Sequence, residues 1–168
     1  EILSALECRV FYWGVARYRQ LEIRHLNAVY SRATGPDNIS LLMQTRQSHI
    51  YIAEAARTRV YGHNEVIRTE RRVHEVDGYI QQTLSFRVQE KQPVRIEKMC
   101  ALYTSRDHAI SEPLINAEHS ARHYGEFEAA YQHHMRAWDE LWASCDVRIP
   151  KDGHVQKLIR FHISHVLQ

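Results

Sequence analysis

The hydrophobic period of this chain changes near Ser111, and that change limits the folds open to it more than any single motif does. Before Ser111, short runs rich in Val, Ile, Tyr, Phe and Thr alternate with polar residues. Examples are Leu6-Glu7-Cys8-Arg9-Val10-Phe11-Tyr12-Trp13 and Ile80-Gln81-Gln82-Thr83-Leu84-Ser85-Phe86-Arg87-Val88. A period of two sends successive side chains to opposite faces, so these runs read as strands with one wet face. Turn signals separate them at Thr34-Gly35-Pro36-Asp37-Asn38, Tyr61-Gly62-His63-Asn64, Val76-Asp77-Gly78 and Glu90-Lys91-Gln92-Pro93. The count is about seven to nine strands, spaced as in an antiparallel sandwich rather than in strand-helix-strand units. The stretch Ile50–Arg59 fits two readings: Ala53, Ala55 and Ala56 suit a helix, whereas its neighbours favour strand or loop.

After the turn Thr104-Ser105-Arg106-Asp107 the period becomes helical. Ser111 with Glu112 and Pro113 reads as a helix start, and Gly125 splits the helical stretch, which runs to about Ser144. The second helix carries Phe127, Tyr131, His134, Trp138 and Leu141 at three- and four-residue steps, with Trp142 alongside. Two indoles on one stripe bury a large area, so this helix is expected to clamp against the sandwich. A short strand is expected at Asp146–Ile149, followed by a turn at Lys151-Asp152-Gly153 and a last helix. In that helix Val155, Leu158, Ile159, Ile163 and Val166 form an apolar stripe that needs a cover. With Glu1 at the start and Gln168 at the end of an uncapped helix, the chain reads as an internal piece of a longer polypeptide. A homo-oligomer whose exposed faces bury one another is a further expectation.

Composition narrows the function classes. With 22 Lys and Arg against 20 Asp and Glu, interspersed along the chain, there is no basic footprint for nucleic acid. No apolar run approaches the length that spans a bilayer. Three cysteines far apart, Cys8, Cys100 and Cys145, argue against a disulfide framework and for a reducing, cytoplasmic setting.

Several landmarks then fall in an order that resembles glycoside hydrolase family 65, the maltose, trehalose and kojibiose phosphorylases with related acid trehalases. They are Ile23-Arg24-His25-Leu26-Asn27-Ala28 with Gly35-Pro36-Asp37-Asn38-Ile39-Ser40, then Val94-Arg95-Ile96-Glu97-Lys98, Tyr103-Thr104-Ser105-Arg106-Asp107 and the His134…Trp138…Trp142 helix. Asp146–Ile149 and Gln156…Arg160-Phe161…His165-Val166-Leu167-Gln168 complete the set. The resemblance implies a mainly β chain with α: an antiparallel β-sandwich, part of a supersandwich, followed by two linker helices and the first helix of an α/α barrel. Laid on that plan, residues 1–110 are the sandwich, 111–150 the helical linker and 151–168 the start of an (α/α)6 catalytic barrel. The implied reaction of the whole protein is inverting attack on an α-linked glucose disaccharide by inorganic phosphate or by water, with the catalytic acid Glu elsewhere in the barrel. On this reading the chain is a non-catalytic N-terminal portion with no metal, no catalytic residue of its own and no assigned substrate contact.

The residues themselves offer other chemistry. Glu97, Glu112 and Glu118 are carboxylates, read here as capping or solvent-paired groups at strand ends and helix starts. His119 and His123 stand four apart, as do Tyr131 and Met135 around His133-His134, and His162 and His165 stand three apart; helical pairs of that kind can bind zinc, but no third ligand cluster accompanies them. Each cysteine could be paired with a histidine as a thiol nucleophile, though twelve histidines make chance pairing expected. Arg106 could meet a phosphate, with an Arg106–Asp107 pair in the turn as the plainer reading. The alternative function is a freestanding sandwich that binds sugar or serves assembly, with Tyr12, Trp13, Tyr51 and Tyr61 as its stacking platform.

Overall fold

The alternation before Ser111 resolves into two antiparallel sheets. A computed structural model describes residues 1–10 and 24–167. Tyr12, Trp13 and the first residue of the Ile23–Ala28 landmark lie outside them. Among the described residues the strands are β1 (Ile2–Glu7), β2 (Leu26–Ala33), β3 (Asn38–Thr45), β4 (Tyr51–Gly62), β5 (Glu65–Val66), β6 (Glu70–Val76), β7 (Tyr79–Ser85) and β8 (Val94–Thr104). The helices are α1 (Pro113–His123), α2 (Phe127–Cys145) and α3 (Gly153–Leu167). The first sheet has the order β1-β7-β6; the second runs β2-β3-β4, with β8 on β4 and the short β5 at the end of β4.

All four sequence turns stand between strands. His63 and Asn64 both take positive φ (52° and 65°), which makes the β4–β5 connection a two-residue primed turn. Gly78 has φ 71°, and a Cβ there would lie 2.9 Å from the Cys8 sulfur, so both the turn and the close approach of Cys8 require glycine.

The undecided stretch Ile50–Arg59 is strand, and its alanines explain why. Ile39, Leu41 and Met43 of β3 and Ala56 of β4 pack against Leu6, Cys8 and Ile80 of the first sheet side, forming the sandwich core. The opposite face of β4 carries Ala53 and Ala55, which meet Ala117 and Ala121 of α1, with Leu42, Ala101, Tyr103 and Leu114 around them. Small residues on both sides let a helix backbone approach the sheet closely.

The chain divides into two units, Glu1–Tyr124 and Gly125–Gln168. Pro113 stands in the first turn of α1, as the sequence suggests, while the N-cap residue Glu112 makes no side-chain cap. In the second unit no side chain of α2 or α3 is buried. The expected strand at Asp146–Ile149 is not one. Its backbone groups are met by a side chain: the Ile149 N–H donates to Gln156 Oε1 (2.7 Å), and Gln156 Nε2 donates to the Val147 carbonyl (2.8 Å). Arg160 adds a bidentate grip on Asp146 at 2.9 and 2.6 Å. Asp152 caps α3 by accepting the His154 and Val155 N–H groups, each at 3.0 Å. No helix among the described residues is long and apolar enough to cross a membrane.

Candidate functional site

Charged side chains converge where α1 lies on the second sheet. Glu118, mid-helix and only 9% exposed, takes a bidentate pair from Arg32 of β2 (Nε to Oε1 2.8 Å, Nη2 to Oε2 2.5 Å). The Ser40 hydroxyl of β3 donates to the same Oε1 at 2.7 Å. Burial works to raise the carboxyl, but the hydrogen bonds from Arg32 and Ser40 and the charges of Arg32 and Arg122 outweigh it and hold Glu118 below the usual carboxylate range.

One turn further along, Arg57 of β4 is 3% exposed. It donates to the Arg122 carbonyl (2.8 Å) and the Tyr124 carbonyl (3.3 Å), the open end of α1, where the helix dipole favours a cation. Its guanidinium also lies 3.6 Å from Glu97 Oε1, and Arg95 reaches Glu97 Oε2 at 3.5 Å. The turn before β3 is tied in as well: Arg59 Nε holds Asp37 at 2.6 Å, and Arg122 Nη2 donates to the Thr34 carbonyl at 3.0 Å. Tyr103 and Ser120 share a 2.8 Å hydroxyl bond across the same interface.

These positions correct the reading of two carboxylates. Glu97 and Glu118 are neither solvent-paired nor terminal; both are buried inside their elements and ion-paired. A signal was present in the sequence. Glu118 sits on the stripe Leu114, Ala117, Ala121, and Glu97 is in phase with Met99, Ala101 and Tyr103, so each carboxylate occupies a core-facing position. Glu112 is exposed, and its carbonyl accepts the Asn116 side chain at 2.9 Å.

The other candidates are not assembled into a site. The His119 and His123 rings lie 4.2 Å apart, with His123 Nδ1 2.9 Å from the His119 carbonyl oxygen. His134 meets Trp138 edge-on at 6.1 Å, and His165 meets Phe161 edge-on at 4.4 Å. Among the described residues no group of three or more His, Cys, Asp or Glu gathers as a metal site. Cys8 is buried, and burial with the nearby Asp77 charge pushes its thiol up, opposite to what an activated nucleophile needs. The 104–107 turn is held by Asp107 on the Thr104 N–H and hydroxyl (2.8 and 2.9 Å), not by an Arg106–Asp107 pair. Tyr61 is 2% exposed beneath Arg95, whose guanidinium lies 4.2 Å from its ring centre, so it cannot serve a stacking platform; Tyr51 is 40% exposed. Two cavities open among the described residues, the second of them beside the α1 interface. One of about 180 Å³ is lined by Cys8, Arg9, Arg24, Leu26, Asp77 and Gly78 among others, and one of about 370 Å³ opens between Met99–Tyr103 of β8 and Ser120, Ala121 and Tyr124.

The described residues thus form an antiparallel sandwich with a helix pinned to its outer face by buried charges. Residues 1–141 match the N-terminal domain of glycosyl hydrolase family 65, and the chain belongs to that family. It is 31% identical over 154 residues to an uncharacterized glycosyl hydrolase of Mycobacterium tuberculosis, covering 92% of this chain and 12% of that protein. It is 23% identical over 163 residues to a kojibiose phosphorylase of Caldanaerobacter subterraneus subsp. tengcongensis, covering 90% of this chain and 20% of the relative. A 1,2-alpha-glucosylglycerol phosphorylase of Bacillus selenitireducens matches at 31% over 85 residues, 51% of this chain and 11% of its own length. The chain thus spans no more than about a fifth of these curated relatives.

Proposed function

We propose that these residues form the non-catalytic N-terminal portion of an enzyme acting on α-glucosides, an inverting disaccharide phosphorylase or hydrolase in a cytoplasmic setting. The observation that carries this reading is the family match over residues 1–141, together with relatives named as phosphorylases of kojibiose and glucosylglycerol. In the proposed plan residues 1–110 are sandwich, 111–150 link, and 151–168 begin an (α/α)6 barrel. The barrel supplies the acid Glu that protonates the leaving oxygen, while inorganic phosphate or activated water attacks the opposite face of the sugar. The substrate is an α-linked glucose disaccharide. Glu97 in the sandwich and Glu118 on the helix packed against it are committed to arginines, which supports a positioning role for this region rather than an acid–base one.

The test compares the 168-residue chain with the longer protein in phosphorolysis and hydrolysis assays on maltose, trehalose and kojibiose, with and without phosphate. Turnover by the longer protein and none by the chain is the expected result. Turnover by the chain alone would overturn the non-catalytic assignment, and oligosaccharide binding by the chain without turnover would favour the freestanding module.

A further inference from the structure

The helices carry closely spaced histidines, and the structure treats them differently. On α3, His162 and His165 both turn edge-on to Phe161, with ring centres 5.7 and 4.4 Å from it. On α2, His134 packs edge-on against Trp138. On α1, His119 and His123 face each other instead, 4.2 Å between ring centres and 31° between planes, and both residues are exposed. The buried side of α1 carries Ala117, Glu118 and Ala121. At about 3.6 residues per turn, the two histidines fall on the side opposite Ala117 and Ala121.

His123 Nδ1 lies 2.9 Å from the His119 carbonyl oxygen. A carbonyl oxygen only accepts, so that nitrogen carries the proton and Nε2 keeps its lone pair. This is the bond that fixes the tautomer and orientation of a metal-binding imidazole. The surroundings suit a cation. The pair stands toward the C-terminal end of α1, the negative end of its dipole. The guanidinium of Arg122 is drawn to the Thr34 carbonyl at 3.0 Å, and that of Arg57 is buried against the Arg122 and Tyr124 carbonyls.

We infer that His119 and His123 chelate a divalent transition-metal ion of the zinc class. Side chains four apart on a helix stand one above the other, so two imidazole nitrogens reach one ion at about 2.0–2.1 Å each. Around a tetrahedral ion, bonds of that length set the nitrogens about 3.3 Å apart, which exposed rings meet by opening slightly. Water fills the other positions. A chelate of this kind lies within one helical turn and needs no assembly from separate elements. Imidazole selects zinc, copper or nickel over magnesium and calcium, which take oxygen ligands. An ion that binds the folded helix better than the unfolded chain stabilises the turn it spans. That turn leads into the carbonyls on which Arg57 rests, so the ion tightens the anchored end of α1.

Titration of the untagged 168-residue chain with Zn2+ by calorimetry tests this, with Mg2+ as the control. His119→Ala and His123→Ala are each expected to weaken zinc binding by at least about tenfold, since losing even a group that orients a ligand costs that much. His162→Ala removes a ring that packs on Phe161 and is expected to leave the affinity unchanged. Hydrogen exchange gives a second reading: Zn2+ should slow the amides of residues 119–124 in the parent and not in His119→Ala. Both α1 positions are exposed, and unchanged protection of β3 checks that the variants keep the fold. Zinc binding of equal strength in the parent and both α1 variants would overturn the site. So would a parent that binds no zinc, or zinc protection of α1 that persists in His119→Ala.

Discussion

The two faces of the second sheet are held down in different ways. Toward the first sheet, β3 and β4 present Ile39, Leu41, Met43 and Ala56 to Leu6 and Ile80, a mainly apolar contact with one buried hydroxyl bond, from Thr58 to Ser4 at 2.8 Å. Toward α1 the same strands present Ser40, Ala53, Ala55 and Arg57, and the apolar contact shrinks to an alanine seam. What fixes the helix there is a set of directed bonds: Arg32 and Ser40 on Glu118, Arg57 on the end of the helix, and Arg122 on Thr34. A greasy face tolerates small shifts in its neighbour. A seam bounded by charges sets the position of the helix along and around its axis.

The sharpest way to break this comparison is to remove one anchor from each face. Arg57→Met leaves the α1 carbonyls uncapped and takes a cation from buried Glu97; losing one partner of a buried pair costs about 3–5 kcal/mol. Leu41→Ala opens a cavity in the sandwich core and costs about 2–5 kcal/mol. Native-state hydrogen exchange separates the two. Arg57→Met is expected to deprotect α1 amides while β3 and β7 stay protected, and Leu41→Ala to deprotect both sheets. If the same amides open in both variants, the two faces are one cooperative unit and the contrast fails.

A smaller loss follows from Glu118→Gln, since Arg32 is 41% exposed and keeps water when its carboxylate is gone; about 1–3 kcal/mol is expected at neutral pH. The folded Glu118 carboxyl titrates below its unfolded counterpart, near 4.3. Its contribution is therefore fully present above that unfolded value and is lost as pH falls through the lower folded one. Urea unfolding of the two proteins across the acid range should give stability curves that converge as pH falls. Curves that stay parallel would mean that the Glu118 pair has no stabilising linkage.

Much of this architecture was legible in the chain. Alternation gave the strands, Pro113 the start of α1, Gly125 the break after it, and Asp77-Gly78 and His63-Asn64 their turns. Three features were not. Ile50–Arg59 was ambiguous because alanines chosen for close helix approach carry no period of their own. The segment Asp146–Ile149 looks like a strand because it is extended, but its partner is the amide of Gln156 rather than another strand, and no local pattern reports that. Glu118 meets Arg32 across 86 residues of chain, so the bond that decides its role is invisible to spacing; only its place on an apolar stripe hinted at burial. The landmarks that carry the family resemblance turn out to be pins of the same kind. Asp146 and Arg160 grip each other, and Gln156 holds the segment between them.

The finest test of the comparison uses a carboxylate on the other face. Glu54 of β4 lies half-buried on the side turned toward the first sheet, where burial pushes its carboxyl up and the charge of Lys98 offsets only part of that. The sign is opposite to that of Glu118. A carboxyl raised in the folded state adds no cost below its unfolded value near 4.3 and becomes a growing cost as pH rises through the folded one. Glu54→Gln removes that cost without changing shape, so the variant should be more stable than the parent at neutral pH, by under about 1 kcal/mol, and equal to it in acid. Measured beside Glu118→Gln over the same pH range, the two difference curves should both close in acid and open with opposite signs. Curves of the same sign would show that the apolar face tolerates a charge as readily as the helix face does, and that the contrast between them lies in geometry alone.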